Sequence, residues 1–148
     1  MYSQLFNFFV FTFLIIFAIT GSGLSQHDHQ HKKKDVLAGK IKGLEVNNLL
    51  SSELELTEGV EVVVSHLVVP PNTTLPKHWH PGEEFVYVLE GSGILWQKDK
   101  EDIILKKGEV YKVPFEQIHT AKTLEETATV LVFRVHKKGE PVRVPVED

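Results

Sequence analysis

The residues of this chain best suited to chemistry are His78, His80, Glu84 and His119. In an extended segment residues i and i+2 point to the same side, so the two histidines flanking Trp79 can aim their imidazoles at one point. Glu84 adds an anionic oxygen after Pro81-Gly82, a pair that lets the backbone bend. His119 comes much later, after Pro114. Clustered imidazoles suit Zn, Cu, Fe or Ni, and a carboxylate extends that range toward Mn. A lone histidine is ordinarily a surface or core residue. The spacing here argues instead for a shared divalent ion.

The same residues carry a family resemblance. The run His78-x-His80-x3-Glu84-x6-Gly91 resembles the first cupin motif, and Gly108-x5-Pro114-x4-His119 resembles the second. Residues 92–107, between the two, match the short separation of small microbial cupins. Three positions depart from the pattern: Asn72 where the first motif opens with Gly, Glu116 for the Gly after Pro114, and Thr123 for the closing Asn. All three bear on loop shape more than on metal binding. Germin-like proteins share His-x-His-Pro but normally carry an N-terminal Cys pair and a longer inter-motif segment, both absent here.

The resemblance covers about residues 60–136 and implies an all-β, cupin-like double-sheet barrel, or jelly roll. It implies one divalent ion (Mn, Fe, Ni, Zn or Cu) held by His78, His80, Glu84 and His119, with Glu84 also a candidate acid or base. Three neutral imidazoles and one carboxylate would leave a net +1 on the site. Up to two open positions would admit water, dioxygen or a bidentate, oxygen-rich molecule. The family's use of this ligand set in oxygen chemistry points to a dioxygenase ahead of a lyase, isomerase or hydrolase. The alternative is a non-catalytic module in which the metal anchors a small ligand.

The elements that must position these residues read as strands. Val60-Glu-Val-Val-Val-Ser-His-Leu-Val-Val is a β-branched run stopped by Pro70-Pro71-Asn72. Residues 85–89, 94–98, 103–105, 110–113, 118–124 and 129–136 are further strand candidates, separated by turn residues. Many short strands at close spacing specify a sandwich or closed barrel. Pro141 and Pro145 place the C-terminal tail on an edge. By parity, Val86 and Val88 share the face of Glu84, and Gln117 and Ala121 that of His119. Gln117, Trp96, Phe115, Tyr87 and Arg134 are the candidates for substrate contact, although an aromatic more often packs a core or a dimer face. Arg134 would clamp a substrate carboxylate if it points inward, and would be a solvated strand residue if outward. His66 reads as a core histidine and His136 as a surface one beside Lys137-Lys138.

The chain has 148 residues, enough for one domain with a core. A net charge of -4 supplies no basic surface, which argues against nucleic acid as a partner. The absence of Cys excludes disulfides, thiolate metal sites and Cys nucleophiles. Residues 5–19 form an apolar run ending in small residues, as in a signal peptide over residues 1–25. The run is short for a membrane span, but no Lys or Arg precedes it as in a typical signal peptide, so an uncleaved anchor at 5–19 is the alternative. Either reading makes the domain secreted or periplasmic, with no membrane contact beyond that segment. Residues 26–35 read as a His- and Lys-rich linker, in which His27, His29 and His31 form a solvated tail or deliver metal. The barrel domain is expected over 36–148, acting on a small molecule and, from the family and the Pro-flanked tail, as a homodimer.

Overall fold

β-branched and aromatic side chains favour a pleated, half-buried surface, and the computed structural model, which describes residues 40–147, follows them closely. The strands are β1 (Glu45–Glu53), β2 (Val60–Val69), β3 (His78–Trp79), β4 (Gly82–Glu90), β5 (Ser92–Gln97), β6 (Ile103–Lys106), β7 (Val110–Val113), β8 (His119–Lys122), β9 (Ala128–Lys137) and β10 (Val144–Pro145). No helix occurs among the described residues. Residues 1–35, on which the export segment and the linker were placed, lie outside the described part.

Two five-stranded antiparallel sheets face each other, ordered β1-β2-β9-β4-β7 and β10-β3-β8-β5-β6. The first carries all the strands of nine or ten residues together with the short β7, and the second carries only short ones. As the tail's prolines require, β10 lies at an edge, where Val144 pairs with Trp79 and Pro145 with His78. Leu44, Leu67, Val69, Leu75 and Val132 fill one part of the space between the sheets. Val88, Leu95, Leu105 and Val113 fill another.

Register decides which side chains enter that space. Across β2, β9 and β4, one rung runs Glu61–His136–Gly82 and the next inward-facing rung Val63–Arg134–Glu84, continuing to Val113 on β7. The third is Ser65–Val132–Val86. Period-two alternation then fixes the remaining faces. His136 is 2% exposed, so its assignment to the surface is corrected: it alternates in step with Arg134, and the lysines beside it do not set its face. His66 follows buried Ser65 and therefore lies half-buried on the outer face. Tyr87, two-fifths exposed, is also on the outer side.

Between the sheets the chain turns at Pro81-Gly82, leaving β3 in one sheet and entering β4 in the other. Only glycine fits there. A Cβ on Gly82 would lie 2.2 Å from the Val135 carbonyl oxygen and 2.4 Å from the His136 Cβ.

Two of the three departures from the motif pattern occupy positive-φ turns. Asn72 has φ 52° and Glu116 φ 56°, conformations that glycine adopts without strain and that Asn tolerates better than Glu. Thr123 ties the same loop. Its hydroxyl donates to the Pro70 carbonyl and accepts from the Thr73 N–H.

Candidate metal centre

Three imidazoles converge between the sheets. His78 and His119 are cross-strand partners on β3 and β8, and His80 follows β3 directly. They are 5%, 3% and 2% exposed. One nitrogen of each lies within 4.8 Å of the others, with ring centroids 4.4 to 5.1 Å apart.

The backbone fixes how each ring is protonated. His78 Nδ1 lies 2.8 Å from the Pro76 carbonyl, His119 Nδ1 2.8 Å from that of Gln117, and His80 Nδ1 2.5 Å from that of Val142. A carbonyl oxygen only accepts, so each Nδ1 carries the proton and donates it. Each Nε2 of a neutral ring is then left with a lone pair. Burial, with the neighbouring His119 and His80, pushes the His78 imidazole down to about 3. It is therefore neutral at ordinary pH.

Glu84 comes from the opposite sheet and is 5% exposed. Its Oε2 lies 2.9 Å from His80 Nε2 and its Oε1 3.6 Å from His119 Nε2. Donors on an ion with bonds of about 2.1 Å sit about 3.0 to 3.4 Å apart at octahedral or tetrahedral angles. The first spacing lies just below that range and the second just above it. With its Nδ1 proton directed at the Val142 carbonyl, a neutral His80 turns a buried Nε2 lone pair toward the carboxylate, a contact that either a shared proton or a cation relieves. The three imidazoles thus form a group that could hold a divalent ion, with the Glu84 carboxylate beside two of them.

Arg134 also points inward, as one of its two sequence readings required, but its partner is part of the protein. Its Nε donates to Glu84 Oε2 at 2.7 Å, and its Nη1 donates to Ser65 Oγ at 3.4 Å. Ser65, fully buried, donates in turn to Asn48 Oδ1 at 2.7 Å. Burial alone would push the Glu84 carboxyl up. Arg134 first, then His80 and His119, outweigh this and hold it well below the usual carboxylate range.

The other pocket candidates are placed differently. Gln117 donates its amide to the Lys98 and Ile118 carbonyls, which braces the loop leading to His119. Trp96 pairs with Thr120, so it lies on the sheet face opposite His119, with Lys77 Nζ 5.4 Å from the ring centroid. Phe115 is half-exposed in the turn before β8. Val86, Val88 and Ala121 pack into the interior clusters as parity required. Two interior residues escaped the sequence reading. Gln97, fully buried, pairs with His119 and so joins the His78–His119 row, donating to the Tyr111 hydroxyl at 3.0 Å. Ser65 sits in an apolar strand. Strand parity from Leu95 was the available signal for Gln97, but the Lys-Asp-Lys turn after it made it resemble a solvated strand end.

Residues 65–135 match the cupin domain family. An acireductone dioxygenase of Rattus norvegicus is 40% identical over 73 residues, which is 47% of this chain and 40% of that protein. A 3-hydroxyanthranilate 3,4-dioxygenase of Mycosarcoma maydis is 31% identical over 75 residues, 48% of this chain and 41% of that one. The chain thus spans about two-fifths of the length of these curated relatives. A cupin-like protein of Thermotoga maritima shares the fold with a TM-score of 0.58 at 21% identity, covering 71% of this chain and 77% of that one. Residues 65–135 are thus a cupin domain, and the fold around them is that of cupin-like proteins.

Proposed function

We propose that this protein is an exported, metal-dependent dioxygenase acting on a small, oxygen-rich organic molecule. One observation carries the reading: three Nε2 atoms and a carboxylate converge in a buried space, each ring locked by a backbone carbonyl. Two curated relatives named as dioxygenases support the choice among reaction types. A divalent ion held by His78, His80, Glu84 and His119 would supply a Lewis acid and redox partner for substrate and dioxygen.

The remaining work belongs to the chain itself. The carbonyls of Pro76, Gln117 and Val142 hold the rings in one tautomer, so ligand geometry is preset rather than assembled on binding. Val63 and Val113 share the Arg134–Glu84 rung and Val132 the next, all buried, so the charged pair sits among apolar side chains that strengthen its electrostatic contacts. Glu84, ionised against Arg134, accepts hydrogen bonds and is a poor general acid at neutral pH.

The test begins with metal analysis of the protein from its native compartment. Oxygen uptake is then followed on catechols, flavonols, enediols and hydroxy acids. Stoichiometric metal with oxygen consumed in step with one substrate class is the expected result. Stoichiometric metal with no turnover of any class would replace this reading with a metal-anchored binding module. Absence of metal would remove both.

A further inference from the structure

Charge accounting inside the barrel has a consequence for what can bind there. An imidazole ligates a metal only as the neutral ring, and the single negative charge of Glu84 is matched by Arg134, its cross-strand partner, at 2.7 Å. The next charged group on the inner face, Glu61, is at the rim with its side chain 18% exposed. It faces His136 Nε2 at 3.5 Å and accepts the Gly139 N–H at 3.3 Å. With the imidazoles as neutral ligands, the Glu84–Arg134 pair beside them sums to zero. Without Arg134, a divalent ion beside Glu84 would leave one positive charge. With Arg134 it leaves two.

Two uncompensated charges in a space this buried are costly until an anion answers them. We propose that Arg134, by neutralising Glu84, sets the charge of the ligand this site accepts: a doubly deprotonated, bidentate oxygen ligand such as an enediolate or the dianion of a hydroxy acid. This rests on the metal-binding reading above and adds the ligand's charge class and the residue that determines it. Arg134 acts as a positioning residue. Its Nε fixes the Glu84 carboxylate, and Ser65, itself tied to Asn48, holds the other end of the guanidinium.

The inference makes two affinities move in opposite directions. Removing Arg134 returns a full negative charge to the metal ligands, so metal binds more tightly. The same change cancels one of the charges that attract the anion, so the dianion binds more weakly. Mere structural damage would weaken both.

The experiment uses the full chain loaded with Co(II) or Mn(II), with oxalate and oxamate as probes of equal size and charges of two and one. Binding is read from the Co(II) visible spectrum or the Mn(II) magnetic resonance signal. Wild type is expected to prefer oxalate by at least about 10-fold, since a unit charge a few ångströms away acts through a dielectric far below that of water. Arg134→Met should bring the ratio close to one while metal affinity holds or rises. Glu84→Gln should do the reverse, raising the preference for oxalate and lowering metal affinity. It also provides the test if Arg134→Met does not fold. An oxalate preference unchanged in either variant would overturn the inference, as would Arg134→Met lowering metal and oxalate affinity together. Failure of wild type to take up metal would instead overturn the reading on which it rests.

Discussion

The two sheets supply different halves of the candidate site, and they hold them by different means. The short-stranded sheet contributes His78, His119 and the adjoining His80, all locked by hydrogen bonds to backbone carbonyls. For His78 and His119 the accepting carbonyl is only two residues back along the chain. The long-stranded sheet contributes Glu84, Arg134 and Ser65, held by one another across β4, β9 and β2. One half is set by local backbone, the other by long-range register. A change in register should therefore disturb the charges and spare the imidazoles.

Gly82→Ala is the strongest way to break the comparison. The added methyl would meet the Val135 carbonyl and the His136 side chain, which forces β4 away from β9 at the rung next to Glu84–Arg134. A cost of more than about 4 kcal/mol is expected, because backbone on the neighbouring strand cannot give way cheaply. Urea unfolding should show early, broadened loss of structure. A variant as stable as wild type would mean that the two strands are not in this register.

Ligand removal probes the other half. His78→Ala or His119→Ala should lower metal affinity by more than about 100-fold, beyond the range seen when only an outer hydrogen-bond partner is lost. Strand content by circular dichroism should be unchanged, since neither ring braces the fold. Metal content after desalting is the measurement. Retention of metal at wild-type stoichiometry would move the binding site elsewhere, with His27, His29 and His31 as the alternative donors.

The same division governs what could be read in advance. The imidazoles were legible because strand parity and the Pro81-Gly82 bend are local features, and the family resemblance added the distant His119. The Glu84–Arg134 pair was not. Fifty residues separate its members, and only the pairing of β4 with β9 reveals that they face each other. Arg134 amid Val132, Phe133 and Val135 was open to either face until that register was known. His136 was misplaced because the lysines after it mimic a solvated strand, although Lys137 alternates to the opposite side and β9 ends there. The double-sheet architecture was legible from run lengths and prolines. β1 was not singled out, because Asn, Ser and Glu give Glu45–Glu53 little apolar alternation.

Acid separates the two halves by pH. In the unfolded chain His78 takes up a proton near pH 6.5, whereas in the fold it does so only near about pH 3. Between those values the unfolded state holds more protons, so stability falls as pH falls. The slope from one such group is at most about 1.4 kcal/mol per pH unit. Glu84, held well below its ordinary value of 4.5, adds its own loss only further down, as pH passes below that value. Urea midpoints of metal-free protein from about pH 7 to about pH 4 should therefore decline in two stages. His78→Ala should remove the upper stage and leave the lower. A midpoint flat through pH 6 would mean that His78 is not buried neutral.

The smallest effect concerns the loops rather than either half of the site. Glu116 holds φ 56° in the turn between β7 and β8, where a side chain with a Cβ costs about 1–2 kcal/mol relative to the right-handed region. Glycine removes that cost but gives back part of it through the greater freedom of the unfolded chain. Glu116→Gly should therefore stabilise by about 0.5–1 kcal/mol, read as a higher urea midpoint with unchanged slope. Asn72, at φ 52°, already tolerates the left-handed region, so Asn72→Gly should gain less. Metal affinity should not change in either variant. The His119 ring is locked to the Gln117 carbonyl, and the Gln117 amide to Lys98, without help from the Glu116 side chain. If Glu116→Gly lowered metal affinity, the turn would be part of what positions His119, and the local lock on the imidazole sheet would extend one residue further back than its hydrogen bonds show.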